Sequence, residues 1–166
     1  MDTNDTKHVL VIGTGSIGER HTRCFLATDR CDVSVCEIND QLRADMADRY
    51  RLSGTFSDLD TALQRPPDVA VICTPAHLHV AMAVKLLEAG VAVLCEKPLS
   101  TSLENTDRLG ELISAEGAKF SMAYVLRAHP LFAAVRQQVL SGDYGRPLEI
   151  ITVSGQHFPH YRPAYR

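Results

Sequence analysis

Three glycines follow directly on a short apolar run near the start of the chain. The run extends from Val9 to Ile12, and Gly13, Gly15 and Gly18 come after it in G-x-G-x-x-G spacing. In this pattern the first glycine permits a tight turn, the second lets the backbone approach a pyrophosphate, and the third lets a helix pack closely against the strand. The helix would offer its free N–H groups to phosphates. Because glycines also end strands for purely structural reasons, the motif needs support from the rest of the chain.

The following hundred residues alternate between apolar runs and helical patterns. Further strands are predicted over residues 31–36, 55–57, 68–73, 91–95 and 119–122. Helices are predicted over 19–28, from an N-cap at Asp40 to about 50, after a cap at Ser57 or Asp58, over about 76–89, and from Ser102 to about 117. Continuous Val/Ile/Leu strands are typical of a parallel sheet covered on both faces. The sequence therefore predicts an α/β fold, a doubly wound Rossmann sheet, in residues 1–123.

The pattern changes after residue 123. A helix is predicted over 131–140, a turn over 143–145, and an alternating strand over 148–154 with no helix after it. Residues 124–166 are therefore expected to be the start of an α+β domain that this sequence does not complete.

Composition and charge exclude several classes of partner. The net charge of −3 and a pI near 6.1 give no reason to expect nucleic-acid binding. No apolar run approaches the roughly 18–20 residues of a membrane span, and the polar residues 1–7 lack the apolar core of a signal peptide. The five cysteines form no C-x-x-C pair, so we expect reduced thiols in a cytoplasm and no metal site.

Glu37 follows the second predicted strand, 19 residues after Gly18. An acid at this place accepts hydrogen bonds from the adenosine ribose hydroxyls of a dinucleotide. Its charge would repel a 2′-phosphate and no arginine follows immediately, which favours NAD over NADP. The alternative is a solvated carboxylate at the end of a strand.

Two further strand ends carry candidate residues. Thr74 and Pro75 end the fourth strand, where proline keeps the turn open towards a ligand. His77 and His79 follow at a helix start; one of them lines the cleft, or both serve packing. The fifth strand runs into Glu96-Lys97-Pro98, and a lysine at a cleft can hydrogen-bond a substrate hydroxyl and assist its deprotonation. The alternative for Lys97 is a surface ion pair.

Polar residues also gather late in the chain. They can bind an anionic or polyhydroxy substrate or contact a further domain, and they are Arg127, His129, Gln156, His157, His160, Tyr161 and Arg162. The chain contains no G-x-S-x-G, H-E-x-x-H or Walker lysine motif, which argues against hydrolases and NTPases.

Together these elements resemble the Gfo/Idh/MocA family of NAD(P)-dependent oxidoreductases. The resemblance covers nearly the whole chain in order, and its segments are Gly13–His21, Cys73–His79, Cys95–Leu99, Tyr124–Pro130 and Gly142–Pro147. It implies hydride transfer between a nicotinamide and a secondary carbinol of a sugar or cyclitol, a reaction on CH–OH donors. It also implies Lys97 as the catalytic residue, and Lys97 and Arg127 as substrate contacts.

The cofactor contacts implied by the motif and the resemblance lie at four strand ends. They are Gly13, Gly15, Ser16, Ile17, Gly18, Glu37, Thr74, Pro75, His79, Glu96, Lys97 and Pro98. Two features depart from the family pattern: Val125 stands where a polar residue is usual, and the catalytic Asp/His element of the second domain is not found. We therefore expect a truncated chain with little activity of its own and a possible homo-oligomer. The alternative is a non-catalytic NAD-binding or interaction module completed by another chain.

Overall fold

A single parallel sheet forms the centre of the fold. The computed structural model describes residues 6–153 and 155. The strands are β1 (Lys7–Ile12), β2 (Cys31–Cys36), β3 (Gly54–Phe56), β4 (Val69–Ile72), β5 (Ala92–Cys95) and β6 (Phe120–Met122). Their order in the sheet is β3-β2-β1-β4-β5-β6, and every neighbouring pair is parallel. This confirms the predicted doubly wound Rossmann sheet, in which the order reverses between β1 and β4.

Helices connect the strands and continue beyond them. They are α1 (Ser16–Leu26), α2 (Asp40–Arg49), α3 (Leu59–Ala62), α4 (His79–Glu88), α5 (Thr106–Ser114) and α6 (Pro130–Ser141). Two 3₁₀ turns, Ala76–Leu78 and Val125–Ala128, complete the described elements. The chain divides into two compact units, residues 1–124 with the sheet and residues 125–166 with α6.

Side chains of the central strands alternate between two buried layers. Leu10 and Ile12 of β1 belong to a cluster that includes Leu86 of α4, whereas Val9 and Val11 belong to a cluster that includes Met46 of α2. All six are at most 3% exposed. Because helices cover both faces, neither face of β1 tolerates polar residues, which explains its continuous apolar run.

Several predicted helix starts were wrong. Helix α1 begins at Ser16 rather than at residue 19. Asn39, not Asp40, caps α2, because its side-chain oxygen accepts a hydrogen bond from the N–H of Leu42 at 3.0 Å. Helix α5 begins at Thr106 rather than at Ser102, because Asn105 adopts a left-handed conformation with φ of 57° that interrupts any earlier helical turn. The helix predicted over 76–89 also begins as the 3₁₀ turn and becomes α-helical at His79.

The strand predicted over residues 148–154 is not formed in its described part, 148–153. Leu148, Ile150, Ile151 and Val153 are each at least 78% exposed. A strand requires a neighbour for its N–H and C=O groups, and the described part of the chain supplies none for this segment. Within the same described residues, no helix has the length and apolar character needed to span a membrane.

Candidate functional site

All six strands end at the same edge of the sheet. The residues that follow them therefore form a row along this edge. The last paired residues, in sheet order, are Phe56, Cys36, Ile12, Ile72, Cys95 and Met122. Glu37, Gly13, Cys73 and Glu96 therefore come next to one another at the carboxyl edge of the sheet. Glu37 and Glu96 are three strand spacings apart, about 14 Å. Ligands of open α/β sheets bind at this edge, where the strand order reverses.

At Gly13 and Gly18, backbone segments of the site come so close together that a side chain would meet a neighbouring carbonyl group. Gly13 has φ of 83°, and a Cβ built on it would meet the carbonyl oxygen of Cys73 at 3.0 Å. A Cβ on Gly18 would lie 1.8 Å from the carbonyl oxygen of Gly13. The absence of both side chains lets α1 pack directly against the turn that leaves β1.

Gly15 differs from the other two glycines because the space around it is open. A Cβ built on Gly15 would have no neighbouring atom within 4 Å, and its backbone conformation (φ −60°, ψ −170°) is accessible to any residue. Gly15 is the N-cap of α1 and has no side chain to accept the N–H groups of the first turn, in which Ser16, Ile17 and Gly18 lie. Those N–H groups and this open space fit the pyrophosphate of a dinucleotide.

Glu37 is buried, and each of its two carboxylate oxygens accepts a hydrogen bond from a backbone N–H. Its Oε2 accepts the backbone N–H of Thr14 at 2.7 Å and the Thr14 hydroxyl at 3.1 Å, and its Oε1 accepts the N–H of Asn39 at 2.9 Å. Burial raises the pKa of this carboxyl, but the hydrogen bonds from Thr14 and Asn39 outweigh burial and hold the pKa below its ordinary value. A carboxylate offers about four acceptor sites, so Oε1 keeps capacity for a ribose hydroxyl.

Arg43 reaches the same strand end from the first turns of α2. Its Nη1 donates to the backbone carbonyl of Glu37 at 2.7 Å, and its Nη2 donates to Oδ1 of Asp40 at 2.6 Å. Arg43 was not among the predicted site residues, because it does not follow Glu37 immediately in the sequence. The signal that would have found it is the helical i, i+3 spacing from Asp40 to Arg43.

His79 joins the ends of β4 and β5 from inside the protein. The ring is 1% exposed; Nε2 lies 2.7 Å from the carbonyl oxygen of Thr74 and Nδ1 lies 2.9 Å from that of Pro98. Both nitrogens are thus occupied by backbone oxygens. This favours the packing alternative for His79, in which it positions the two turns rather than hydrogen-bonding a ligand. His77 is exposed.

Both carboxylate oxygens of Glu96 have partners within the protein. Its Oε1 lies 2.9 Å from Nε2 of His21 on α1, and its Oε2 accepts the backbone N–H of Lys97 at 3.2 Å. The His21–Glu96 pair is half-buried and connects α1 to the end of β5. Helix α1 follows the glycine turn, which we define as residues Gly13–Gly18. Lys97 itself is exposed at that strand end, one strand away from Thr74 and Pro75, and Pro98 follows it through a cis peptide bond.

The remaining predicted residues belong to the second unit or lie outside the described residues. Arg127 lies in the 3₁₀ turn of the second unit and is exposed. The predicted late residues Gln156, His157, His160, Tyr161 and Arg162 lie outside the described part of the chain. A cavity of about 680 Å³ opens at the opposite edge of the sheet, where Asp68, Val91 and Lys119 line it, and it contains none of the predicted site residues.

Comparison with known proteins places this arrangement in a family. The GFO_IDH_MocA family profile, described as "Oxidoreductase family, NAD-binding Rossmann fold", matches residues 7–124, which include the glycine turn, Glu37 and Lys97. The chain belongs to this family. The resemblance inferred from the sequence motifs is thereby confirmed, and the matched range is an NAD-binding oxidoreductase domain.

Sequence relatives support the assignment and set its extent. An inositol 2-dehydrogenase from Acidothermus cellulolyticus is 30% identical over 168 residues, which cover 99% of this chain and 48% of that protein. An uncharacterized oxidoreductase, ORF334, from Rhizobium meliloti is 34% identical over 138 residues, which cover 81% of this chain and 41% of that protein. The chain therefore spans less than half the length of these relatives.

Solved structures of the family share the fold. The apo scyllo-inositol dehydrogenase from Lactobacillus casei superposes with a TM-score of 0.80 at 20% identity, covering 87% of this chain and 44% of that one. The structure of the same enzyme with bound NAD(H) and scyllo-inositol superposes with a TM-score of 0.73 at 22% identity, covering 83% of this chain and 42% of that one. At these identities the likeness supports the Rossmann fold of the first unit.

Proposed function

We propose that this chain is the cofactor-binding part of a dehydrogenase that transfers a hydride between NAD(H) and a secondary hydroxyl or ketone of a sugar or cyclitol. The observation that carries the proposal is the row at the carboxyl edge of the sheet, where the glycine turn, Glu37 and the Glu96-Lys97-Pro98 segment follow neighbouring strand ends. An extended dinucleotide would cross this edge from β2, over β1, towards β4 and β5.

At the adenosine end, Glu37 would accept a ribose hydroxyl on the free acceptor site of Oε1. Its carboxylate is held ionised by the hydrogen bonds from Thr14 and Asn39. A fixed negative charge at this position disfavours a 2′-phosphate, so we expect NAD to bind more tightly than NADP.

In the middle, the pyrophosphate would lie against Gly13, Gly15 and the first turn of α1. Ser16, Ile17 and Gly18 would offer backbone N–H groups there, and the positive end of the helix dipole would favour the phosphate charge. The open space beside Gly15 is what such a contact requires.

At the reactive end, Thr74, Pro75, Pro98 and Lys97 would surround the nicotinamide, which supplies hydride transfer when bound. The Lys97 ammonium would hydrogen-bond the substrate oxygen and assist movement of its proton. His79 and Glu96 would act through position, because their polar atoms already hold Thr74, Pro98, His21 and the Lys97 backbone.

We assign residues 1–123 to NAD(P) binding and residues 124–166 to the start of a substrate domain, in which Arg127 would contact the substrate. The sugar or cyclitol class is proposed from the inositol 2-dehydrogenase relatives. Among the described residues, the Lys97 ammonium forms no hydrogen bond or ion pair with a histidine or carboxylate that could share the substrate proton. We therefore expect little or no turnover from residues 1–166 alone. A reducing, cytoplasmic location is proposed because all five cysteines are free thiols, of which Cys36 and Cys95 are buried.

Isothermal titration of the 166-residue protein with NADH tests the proposal. We expect saturable binding at one site, and competition by ADP-ribose, because the adenosine and pyrophosphate contacts lie on this chain. The same protein incubated with NAD and myo-inositol is expected to form no NADH above background. A folded protein that binds neither NADH nor ADP-ribose would contradict the proposed function.

A further inference from the structure

Arg43 brings a positive charge to the end of β2, where the proposed adenosine ribose would lie. Its guanidinium is only 22% exposed and is fixed by two contacts, one to the Glu37 carbonyl and one to Asp40. The carboxylate of Asp40 is 89% exposed, so solvent surrounds the partner that neutralises Arg43. Asp40 is the first residue of α2, and Arg43 lies nearly one turn further along.

A guanidinium at this position is the group that a 2′-phosphorylated dinucleotide needs. A phosphate monoester carries about −1.5 to −2 charges at neutral pH and binds arginine through parallel N–H···O contacts. A guanidinium has five N–H donors, of which the structure assigns one to Glu37 and one to Asp40. Arg43 therefore has donors to spare, but its charge is already balanced by Asp40.

We propose that the Asp40–Arg43 ion pair is a specificity determinant that works with Glu37 to favour a 2′-hydroxyl dinucleotide over a 2′-phosphorylated one. Glu37 repels the phosphate directly, and Asp40 both engages one edge of Arg43 and adds a second negative charge beside it. Removal of Asp40 leaves Arg43 anchored on the Glu37 carbonyl with Nη2 free. This inference rests on the proposed function, because it requires the adenosine ribose to lie at Glu37.

Asp40→Ala and Asp48→Ala form a matched pair for the test. Both substitutions remove one exposed carboxylate from α2, but Asp48 lies five residues beyond Arg43, about 1.4 helical turns, and makes no described contact with it. Binding of NADH and NADPH to the 166-residue protein is measured by isothermal titration at low ionic strength, where exposed charges are least screened. Melting temperatures of all variants confirm that each protein is folded.

We expect Asp40→Ala to lower the Kd for NADPH by about fivefold, which corresponds to one exposed ionic contact, and to change the Kd for NADH by less than about twofold. Asp40→Asn, which keeps the helix-start geometry, should act in the same direction, and Asp48→Ala should leave the ratio unchanged. Arg43→Met in the Asp40→Ala background should abolish the gain.

Three results separate failure of this inference from failure of the proposed function. If NADH binds and the NADPH-to-NADH ratio is unchanged by Asp40→Ala, or shifts equally with Asp48→Ala, the role of the ion pair is wrong. If the gain survives removal of Arg43, the role of Arg43 is wrong. If the unaltered protein binds neither dinucleotide, the proposed function fails first.

Discussion

At the scale of single residues, Gly18 is the position where the backbone leaves least room. Any side chain there would overlap the Gly13 carbonyl oxygen, since even a Cβ would lie 1.8 Å from it. We expect Gly18→Ala to reduce the free energy of unfolding by about 2–3 kcal/mol, because α1 must move away from the turn. Urea unfolding measures the change.

Gly110→Ala is the matched control for Gly18→Ala. Gly110 is exposed within α5 and has no atom within 4 Å of its added Cβ, so alanine there should stabilise the helix by up to about 1 kcal/mol. Equal stability of Gly18→Ala and the unaltered protein would contradict the packing described for the glycine turn.

The ionisation of Glu37 is expected to make the stability of the protein depend on pH. Burial raises its pKa, the hydrogen bonds from Thr14 and Asn39 lower it, and the net result lies below the ordinary value of 4.5. The folded state therefore prefers the ionised carboxyl, so its contribution to stability is complete above about pH 4.5 and is lost as the pH falls through the lower, folded-state pKa. We expect Glu37→Gln to cost about 2 kcal/mol at pH 7 and less at pH 3, measured by urea unfolding.

The control for Glu37→Gln is Glu104→Gln, an exposed carboxyl outside the helices. It should change the stability little at either pH. A Glu37→Gln penalty that is the same at pH 7 and pH 3 would show that the carboxylate form of Glu37 is not what the folded protein stabilises.

Sequence reasoning at this scale identified the strand-end residues but not what holds them. The spacing of the glycines and Glu37 is a local pattern, so these residues could be predicted from the sequence. The hydrogen bonds from Thr14 to Glu37 and from His21 to Glu96 join residues 23 and 75 positions apart, and no local pattern encodes them. Arg43 was missed for the related reason that helical geometry, not adjacency, brings it to β2.

At the scale of elements, the strands place three cysteines where their thiols are inert. Burial raises the pKa of Cys36 to about 11, of Cys73 to about 12 and of Cys95 to about 12. Because the thiolate is the reactive form, these thiols should resist iodoacetamide at pH 8 in the folded protein, whereas the exposed Cys24 of α1 should react. Mass spectrometry of tryptic peptides measures each position.

Unfolding in urea serves as the control for cysteine labelling, since all five cysteines should then react. Modification of Cys73 or Cys95 in the folded protein at the rate of Cys24 would contradict the burial of the ends of β4 and β5.

The elements themselves were largely predictable because each strand is a continuous apolar run covered on both faces. All six strands of the sheet were anticipated to within about two residues. The start of α5 was not, because Ser102 is a good N-cap by type and the left-handed Asn105 depends on context. The segment 148–153 has the alternation of a strand, but alternation cannot supply the partner that a strand requires.

At the scale of the whole molecule, the two units differ in how far their large apolar side chains are exposed. The first unit buries two layers of large apolar side chains and exposes a few others, such as Ile38 and Leu103, whereas the second unit exposes those of α6 and of 148–153, including Phe132 at 50% and Val153 at 94%. An exposed apolar set of this size favours association. Such association is what the alternative of an interaction module completed by another chain requires.

Deletion of residues 125–166 separates the two units. We expect residues 1–124 to bind NADH with a Kd within about threefold of that of the 166-residue protein, because every proposed contact except Arg127 lies on the first unit. Size-exclusion chromatography with light scattering should show the longer protein as an oligomer and the shorter one as a monomer. A monomeric 166-residue protein would argue against completion by a partner.

The central claim is that the open space beside Gly15 holds the dinucleotide pyrophosphate, and one titration tests it directly. NADH is titrated into the unaltered protein, Gly15→Ala and the control Gly110→Ala, each with its melting temperature. Because an alanine Cβ at Gly15 meets no protein atom, we expect an unchanged melting temperature with NADH affinity at least about tenfold weaker, and unchanged affinity for Gly110→Ala. Gly15→Ala protein that binds NADH as tightly as the unaltered protein would contradict the claim.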